Sequence, residues 1–529
     1  MGLRKRGYEF WDASLLLLPV NWRCNRHALK NSDRCIFHSE RKSATIFEKA
    51  FRKELSNTGL KQFDFTGVIF PETGIDLMGI SVSKTALFVG ADFRGPTFFH
   101  RATFGQVSFQ KATFDWEATF EKAVFKQRAY FAGARFNDVS FREASFEETA
   151  DFDFTKFVGG NFFYAIFNKY ASFKGSELDD TSFACADFGA GVDFASSEIS
   201  GCDFDDATIN GQSHFDRAKL TDAYFEATSF MRPVSFDDST FLGSSKFINT
   251  VFLYEASFRE VRTETGGSVW FIGDPSATTA EIVEDAVEHE DDKTTALDEQ
   301  ARVELSKQGE AASSGRISLR LVSLIGTDIS AMHFLNVNWN CKSCGIWPFV
   351  RTRNAIFDEL QHEGSVTPGD YERVAATYRQ LRRIYEDELR YHEAGDFYVG
   401  EMEMRRLQLS CQTRYRRWFK RNLFSILAWY RNISFYGESY RLSGLWIMGL
   451  IIGFALARMS VAEAVALICS PTVSGWASVL ASFWSSLGQS FLAFFQLKSD
   501  NNVDLVERLV GAFFSAMLFI SLKRHFERR

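Results

Sequence analysis

Phenylalanines Phe131, Phe152, Phe173, Phe194, Phe215 and Phe236 stand 21 residues apart, and no helix or ordinary strand has that period. Three further columns share it: Phe136, Phe157, Leu178, Ile199, Leu220, Phe241; then Phe141, Phe162, Phe183, Phe204, Phe225; then Phe146, Phe167, Phe188, Ile209, Phe230. Four five-residue steps plus one extra residue make each turn. Two residues before the large one comes something small, as at Ala144, Ala165, Ala186 and Ala207, or Thr181, Cys202 and Ala223. A four-sided solenoid explains both features. The large side chain of each side points inward and stacks on its equivalent one coil away, and the small one faces inward where nothing larger fits. Neighbouring coils bond through backbone groups at about 4.8 Å, so about eight coils make a rod of about 40 Å. Each buried Phe contributes about 1.5–3 kcal/mol. Strands of a sandwich alternate with period two and do not produce a step of five. The 56 Phe against 8 Pro in 529 residues express this one recurring slot.

Ala91–Phe93 and Ala186–Phe188 both read ADF. Over about 90–260 the chain resembles the pentapeptide-repeat proteins, whose motif is A-(D/N)-(L/F)-x-x. The resemblance implies a right-handed quadrilateral β-helix, a scaffold that says little about function. The fold class expected is therefore a mainly β solenoid of 21-residue coils, followed by an α-helical connector and an α-helical transmembrane domain. Seven segments follow: an N-terminal zinc-type cap (1–60), the β-helix (61–275), an acidic mobile insertion (276–314), a final coil (315–345), a helical hairpin connector (346–410), a basic juxtamembrane segment (411–441) and the membrane domain (442–529).

A net charge of −7 excludes a global basic footprint for nucleic acid. The run Leu15–Leu18 is too short for a signal core and stops at Pro19. Eight cysteines in two close pairs plus four singles fit metal binding in a reducing compartment better than disulfides. Cys24-x2-His27-x7-Cys35-x2-His38 offers two ligand pairs on tight turns for a tetrahedral, structural Zn2+. Cys341-x2-Cys344 is half a site, needing His333, His362 or another subunit. The insertion, with EIVEDAVEHEDDKTTALDEQ, is acidic and nearly free of aromatics. The asparates Asp203, Asp205, Asp206, Asp216 and Asp222 read as a solvated solenoid face.

Val374, Tyr378, Leu381 and Tyr385 lie at helical spacing, and a break near Tyr391–His392 leads to a second helix, similar to one tetratricopeptide unit. EMEMRR, residues 401–406, reads as a charged, exposed helix face. The run AGDFYVGEMEMRR (394–406) and the W-x-C…C-I-F-H patch resemble prokaryotic pentapeptide-repeat proteins with a C-terminal ion-channel-like module. Between Arg405 and Arg441 stand nine Arg or Lys, among them Arg414, Arg416, Arg417, Lys420 and Arg421, interleaved with aromatics. That pattern suits a membrane interface with anionic lipid.

Residues 442–457 and 506–522 are apolar runs of spanning character, and 464–497 holds no charge. Basic residues before the first and after the second put both termini in the cytoplasm and make the number of spans even. Two spans around a re-entrant helix resemble the tetrameric two-span cation channel. Where potassium channels carry T-x-G-Y-G, this chain has Phe491-Leu-Ala-Phe-Phe-Gln-Leu, so potassium selectivity is unsupported. Phe491, Phe494, Phe495 and Gln496 are the candidate gate, and Gly511 with Ser515 signals tight packing. No phosphate loop, nucleophile elbow or open metal site points to catalysis. The expectation is an inner-membrane channel, homotetrameric, gated by a cytoplasmic solenoid that senses a nucleotide, oligonucleotide or protein. It resembles the membrane-depolarising effectors of prokaryotic antiviral defence. The alternative is a non-conducting, membrane-anchored scaffold that docks a partner on the rod.

Overall fold

A computed structural model describes residues 35–39, 43–57, 59–264, 266–274, 307, 315–346, 349–361, 368–408, 425–458, 473–495 and 502–527. The expected acidic insertion, apart from residue 307, and residues 411–424 of the basic juxtamembrane segment lie outside them. The helices are α1 (Ala44–Leu55), α2 (Phe357–Gln361), α3 (Pro368–Asp387), α4 (Tyr391–Gln408), α5 (Ile426–Ser434), α6 (Tyr440–Arg458), α7 (Val473–Phe494) and α8 (Asn502–Glu527). Apart from one antiparallel hairpin, the strands are short and form a β-solenoid of about eleven coils over residues 63–338, more than the eight that the clearest columns suggest. The chain divides into two compact units, Met1–Ala190 and Gly191–Arg529.

In the first unit every strand pairs in parallel with its equivalent one coil on. Phe125 is opposite Phe104 and Phe146, and Phe146 opposite Phe167. The Phe125–Phe146, Phe146–Phe167 and Phe167–Phe188 centroids lie 4.6, 4.7 and 4.9 Å apart with rings within 4° of parallel. That spacing is the strand separation itself, so backbone pairing and ring stacking reinforce each other. Columns that face each other across the coil meet edge to face, as Phe131 and Phe141 do at 5.4 Å and 84°. Ala144, Ala165 and Ala186 fill the small slots and are buried. Alternate corners take the left-handed conformation at Arg101, Lys111, Lys122, Glu143, Phe154, Tyr164 and Cys185. Non-glycine residues pay about 1–2 kcal/mol there, and the cost is met because each corner is fixed by pairing on both sides. At the first coil α1 lays Phe47 and Phe51 over Phe65 and Phe70, with Phe51–Phe65 at 4.5 Å and Phe47–Phe70 at 5.3 Å.

The second unit continues the same construction with Phe215–Phe236 at 4.7 Å and Phe225–Phe247 at 4.7 Å. Its last coil pairs Phe271 directly with Phe334, and Ala256 with Val322. An antiparallel hairpin, Asn340–Ile346 with Phe349–Ala355, then leads into the helices. Trp339 closes the Phe column: it lies 5.4 Å from Phe334 and 5.6 Å from Phe397 of α4. Its Nε1–H donates to the Tyr385 hydroxyl of α3 at 2.9 Å.

Candidate functional site

The antiparallel pair α3 and α4 holds a network of buried charges. Nη2 of Arg353, on the hairpin, donates to both carboxylate oxygens of Glu359 of α2 at 2.5 and 2.6 Å, and both side chains are almost wholly buried. The Tyr378 hydroxyl also donates to Glu359, and Lys342 lies 3.1 Å away. Burial pushes the Glu359 carboxyl up, but the Arg353 guanidinium, the Lys342 ammonium and the Tyr378 hydroxyl together outweigh it and hold the group below its usual range. Burial, helped by the neighbouring Glu359 charge, drives the Tyr378 hydroxyl far above its ordinary value. Asp358, next to Glu359, accepts from Ser323 Oγ and Leu324 N at 2.5 and 2.9 Å, which ties α2 to a solenoid coil.

Helix α4 carries the next two hubs. Glu401, 1 % exposed, receives Arg379 and Arg382 of α3 at 3.0 Å each and Arg405 at 2.6 Å. Glu403 receives Arg406 at 2.7 Å, Arg431 of α5 at 3.1 Å and the Tyr436 hydroxyl at 2.8 Å. The expectation that EMEMRR forms an exposed charged face is therefore overturned. Met402, Met404 and Arg406 are buried as well, because α4 is wrapped by α3, the hairpin and the base of the helical bundle. The sequence signal was present: acids and arginines on a helix that also carries Gly395 and Gly400 on its packed side. A Cβ on Gly400 would meet the Tyr378 ring at 2.7 Å.

From α4 the contacts pass to the apolar helices. Phe435, Tyr436 and Gly437 are all left-handed and reverse the chain between α5 and α6. Tyr436 is fully buried with Val399 and Met402. Burial and the Glu403 carboxylate raise its hydroxyl well above the usual tyrosine range. Arg524, near the end of α8, donates to the Tyr436 carbonyl at 2.8 Å, lies 4.4 Å from the Tyr398 ring centre and approaches Glu438 at 3.5 Å. Thus α6 begins, and α8 ends, on the same polar platform.

Tyr440–Arg458 and Leu505–Arg524 are long and apolar enough to cross a membrane. Between them α7 is a 22-residue helix, about 33 Å long. The three share a core of Ile447, Ile451, Phe494 and Phe514, yet leave large apolar side chains outside: Met448, Leu456, Trp484 at 66 %, Leu509 and Phe519 at 68 % exposed. The Phe494 carbonyl rests on Gly511, where a Cβ would sit 2.2 Å from that oxygen.

Of the gate candidates, Phe491 and Phe495 are exposed neighbours at 4.9 Å, Phe494 packs inward, and Gln496 lies outside the described residues. So do Arg414, Arg416, Arg417, Lys420 and Arg421. Of the metal candidates, Cys24 and His27 lie outside, while Cys35 Sγ and His38 Nδ1 stand 3.0 Å apart and His38 Nε2 is 2.9 Å from the Thr66 carbonyl. Among the described residues no group of three or more His, Cys, Asp or Glu is placed to hold a metal. Cys341 is exposed, and burial raises the Cys344 thiol, which lies against the Arg351 carbonyl at 3.3 Å.

A family model for pentapeptide repeats in nine copies matches residues 77–122, and one in eight copies matches 127–162. The chain carries pentapeptide repeats. No curated protein matches this pentapeptide-repeat chain. Among solved structures, a trypsin-treated variant of QnrB1, a plasmid-mediated fluoroquinolone resistance protein, is similar at 13 % identity over 39 % of this chain and 92 % of that one, with a TM-score of 0.11. The strand register, not this likeness, establishes the solenoid.

Proposed function

We propose that the pentapeptide-repeat chain is a membrane pore whose soluble solenoid acts on the spans through the buried charges of α3 and α4. The observation that carries the reading is the contrast within one bundle. Helices α6, α7 and α8 present apolar side chains that water would not tolerate as a surface, while their common base is locked by Glu403, Arg431, Tyr436 and Arg524. Lipid covers the first; a change in the solenoid's bound state reaches the spans through the second. Both termini are cytoplasmic, four copies surround the pore, and a nucleotide, oligonucleotide or protein bound by the solenoid releases it. In that role the chain depolarises the membrane as an effector of antiviral defence. The reading is tested with the full chain in planar bilayers: wild type is closed, and Glu403→Gln, which removes the charge joining α4 to α5, conducts. Silence of both, each shown to be inserted and oligomeric, leaves the membrane-anchored scaffold as the function.

We also propose that Cys35 and His38, with Cys24 and His27, bind a structural Zn2+. Nε2–H of His38 directed to a backbone carbonyl leaves Nδ1 toward the Cys35 sulfur, the orientation that a metal-bound histidine takes. One zinc per chain by elemental analysis, and a lower Tm of the first unit with chelator, are expected. A metal-free protein of unchanged Tm rejects the site.

A further inference from the structure

The helical bundle also holds a charge pair at the far end of α6 from the polar platform. Glu507 sits in the second turn of α8, within the apolar stretch Leu505–Arg524, and is 0 % exposed. Its Oε2 accepts from Nη2 of Arg458, the last residue of α6, at 2.6 Å, and Arg458 is itself 12 % exposed. Its other oxygen, Oε1, is shut off from solvent and has no hydrogen-bond partner among the described residues. A half-satisfied carboxylate in such surroundings costs several kcal/mol.

A second electronegative group is set against the same helix. Gly511 is one turn along α8, about 6 Å along the axis, and it is there that the Phe494 carbonyl is pressed against the backbone. Phe494 ends α7, and the last four carbonyls of a helix lack intrahelical partners and carry the negative end of its dipole. A buried carboxylate oxygen and a helix C-terminus thus lie within about one turn of each other along α8, about 6 Å on its axis. About 25 Å of helix separates them from Arg524 and the polar platform at the other end of α8.

We infer that Glu507 and the Phe494 carbonyl form a binding site for a monovalent metal cation, which Arg458 occupies as a tethered substitute. Hard cations take oxygen ligands, and one carboxylate neutralises one charge, so a divalent ion would leave a surplus in the apolar interior. The Arg458 guanidinium supplies that charge while the α6–α8 pair is closed; its withdrawal opens the site to a metal ion. The inference rests on the pore reading, to which it adds a cation-selecting residue.

The test compares the full chain in detergent micelles with potassium, sodium or choline chloride at one ionic strength. Wild type should melt at one temperature in all three, because Arg458 fills the site. Arg458→Gln should gain about 2–4 °C in potassium or sodium over choline, and R458Q/E507Q should lose that gain. R458K, which keeps the charge on a different head group, preserves the fold if R458Q does not and should show a smaller gain of the same sign. Equal melting of both single variants in all three salts, or a gain that survives E507Q, overturns the site. Bilayer currents from Glu403→Gln, the variant expected to conduct, separate the two proposals. Current without a cation-specific gain keeps the pore and rejects the site; the gain without current keeps the site and rejects the pore.

Discussion

The phenylalanine columns of the first unit and the charge network of α3 and α4 are both centred on buried side chains, yet they are held together by opposite means. In the columns each ring meets copies of itself above and below, and the contact is dispersive and unaddressed to any one partner. In the network each charge has particular partners: Glu401 holds Arg379 and Arg382, and Arg353 holds Glu359. A column spreads the loss of one member over its neighbours. A buried ion pair does not, because the surviving charge stays buried without compensation. Tolerance belongs to the first construction and specificity to the second.

Arg353→Met should separate the two constructions most strongly. It fits the space but strands Glu359, and should cost about 3–5 kcal/mol, read as a shift in the urea midpoint followed by the fluorescence of Trp339, which packs on α4. A cost under about 1 kcal/mol would mean that the network is as forgiving as the columns. Next comes Phe152→Leu, placed between Phe131 and Phe173 at 4.7 and 4.8 Å. Leu178 already serves as Leu against Phe157 in a neighbouring column, so the expected cost is about 1 kcal/mol. A value near that of Arg353→Met would erase the distinction from the other side.

The smallest effect sharpens it by pH. Half-buried Asp151 in the first unit has its carboxyl raised from 3.8 to about 7, mainly by burial, with the Asp153 charge adding to it and the backbone N–H of Asp153 opposing it. A raised acid keeps its proton in the fold while the unfolded chain ionises, so its contribution is complete below about pH 4 and is lost as pH rises to 7. Asp151→Asn should match wild type near pH 4 and exceed it by about 1 kcal/mol at pH 8, once the partial exposure is allowed for. Thermal melts at the two pH values decide; a gain at pH 4 instead would show that the carboxyl's charge is favourable in the fold.

How much was legible follows from the same contrast. A residue that sees the same surroundings every 21 positions writes its environment into the spacing, which is why the columns could be read from Phe131 to Phe236 without coordinates. Gly511 was legible too, since small residues at helical spacing announce close approach, and the Phe494 carbonyl lies there. The partners of Glu401, Glu403 and Glu507 were not. Arg431 and Arg458 lie 28 and 49 residues away from Glu403 and Glu507, and a unique long-range pair leaves no period. The rule that charges face water then misassigned α4, whose acids and arginines neutralise each other instead.

Helix α1 has a consequence beyond packing. A coil that stacks on copies of itself has no intrinsic reason to stop at one molecule: an open end would offer unpaired strand backbone and the rings of Phe65 and Phe70, the same surface that the next coil of any other copy satisfies. By covering that end with Phe47 and Phe51, which belong to no coil, α1 terminates the lattice. The helix is in this sense a chain-length regulator, keeping a self-complementary material from growing into a filament.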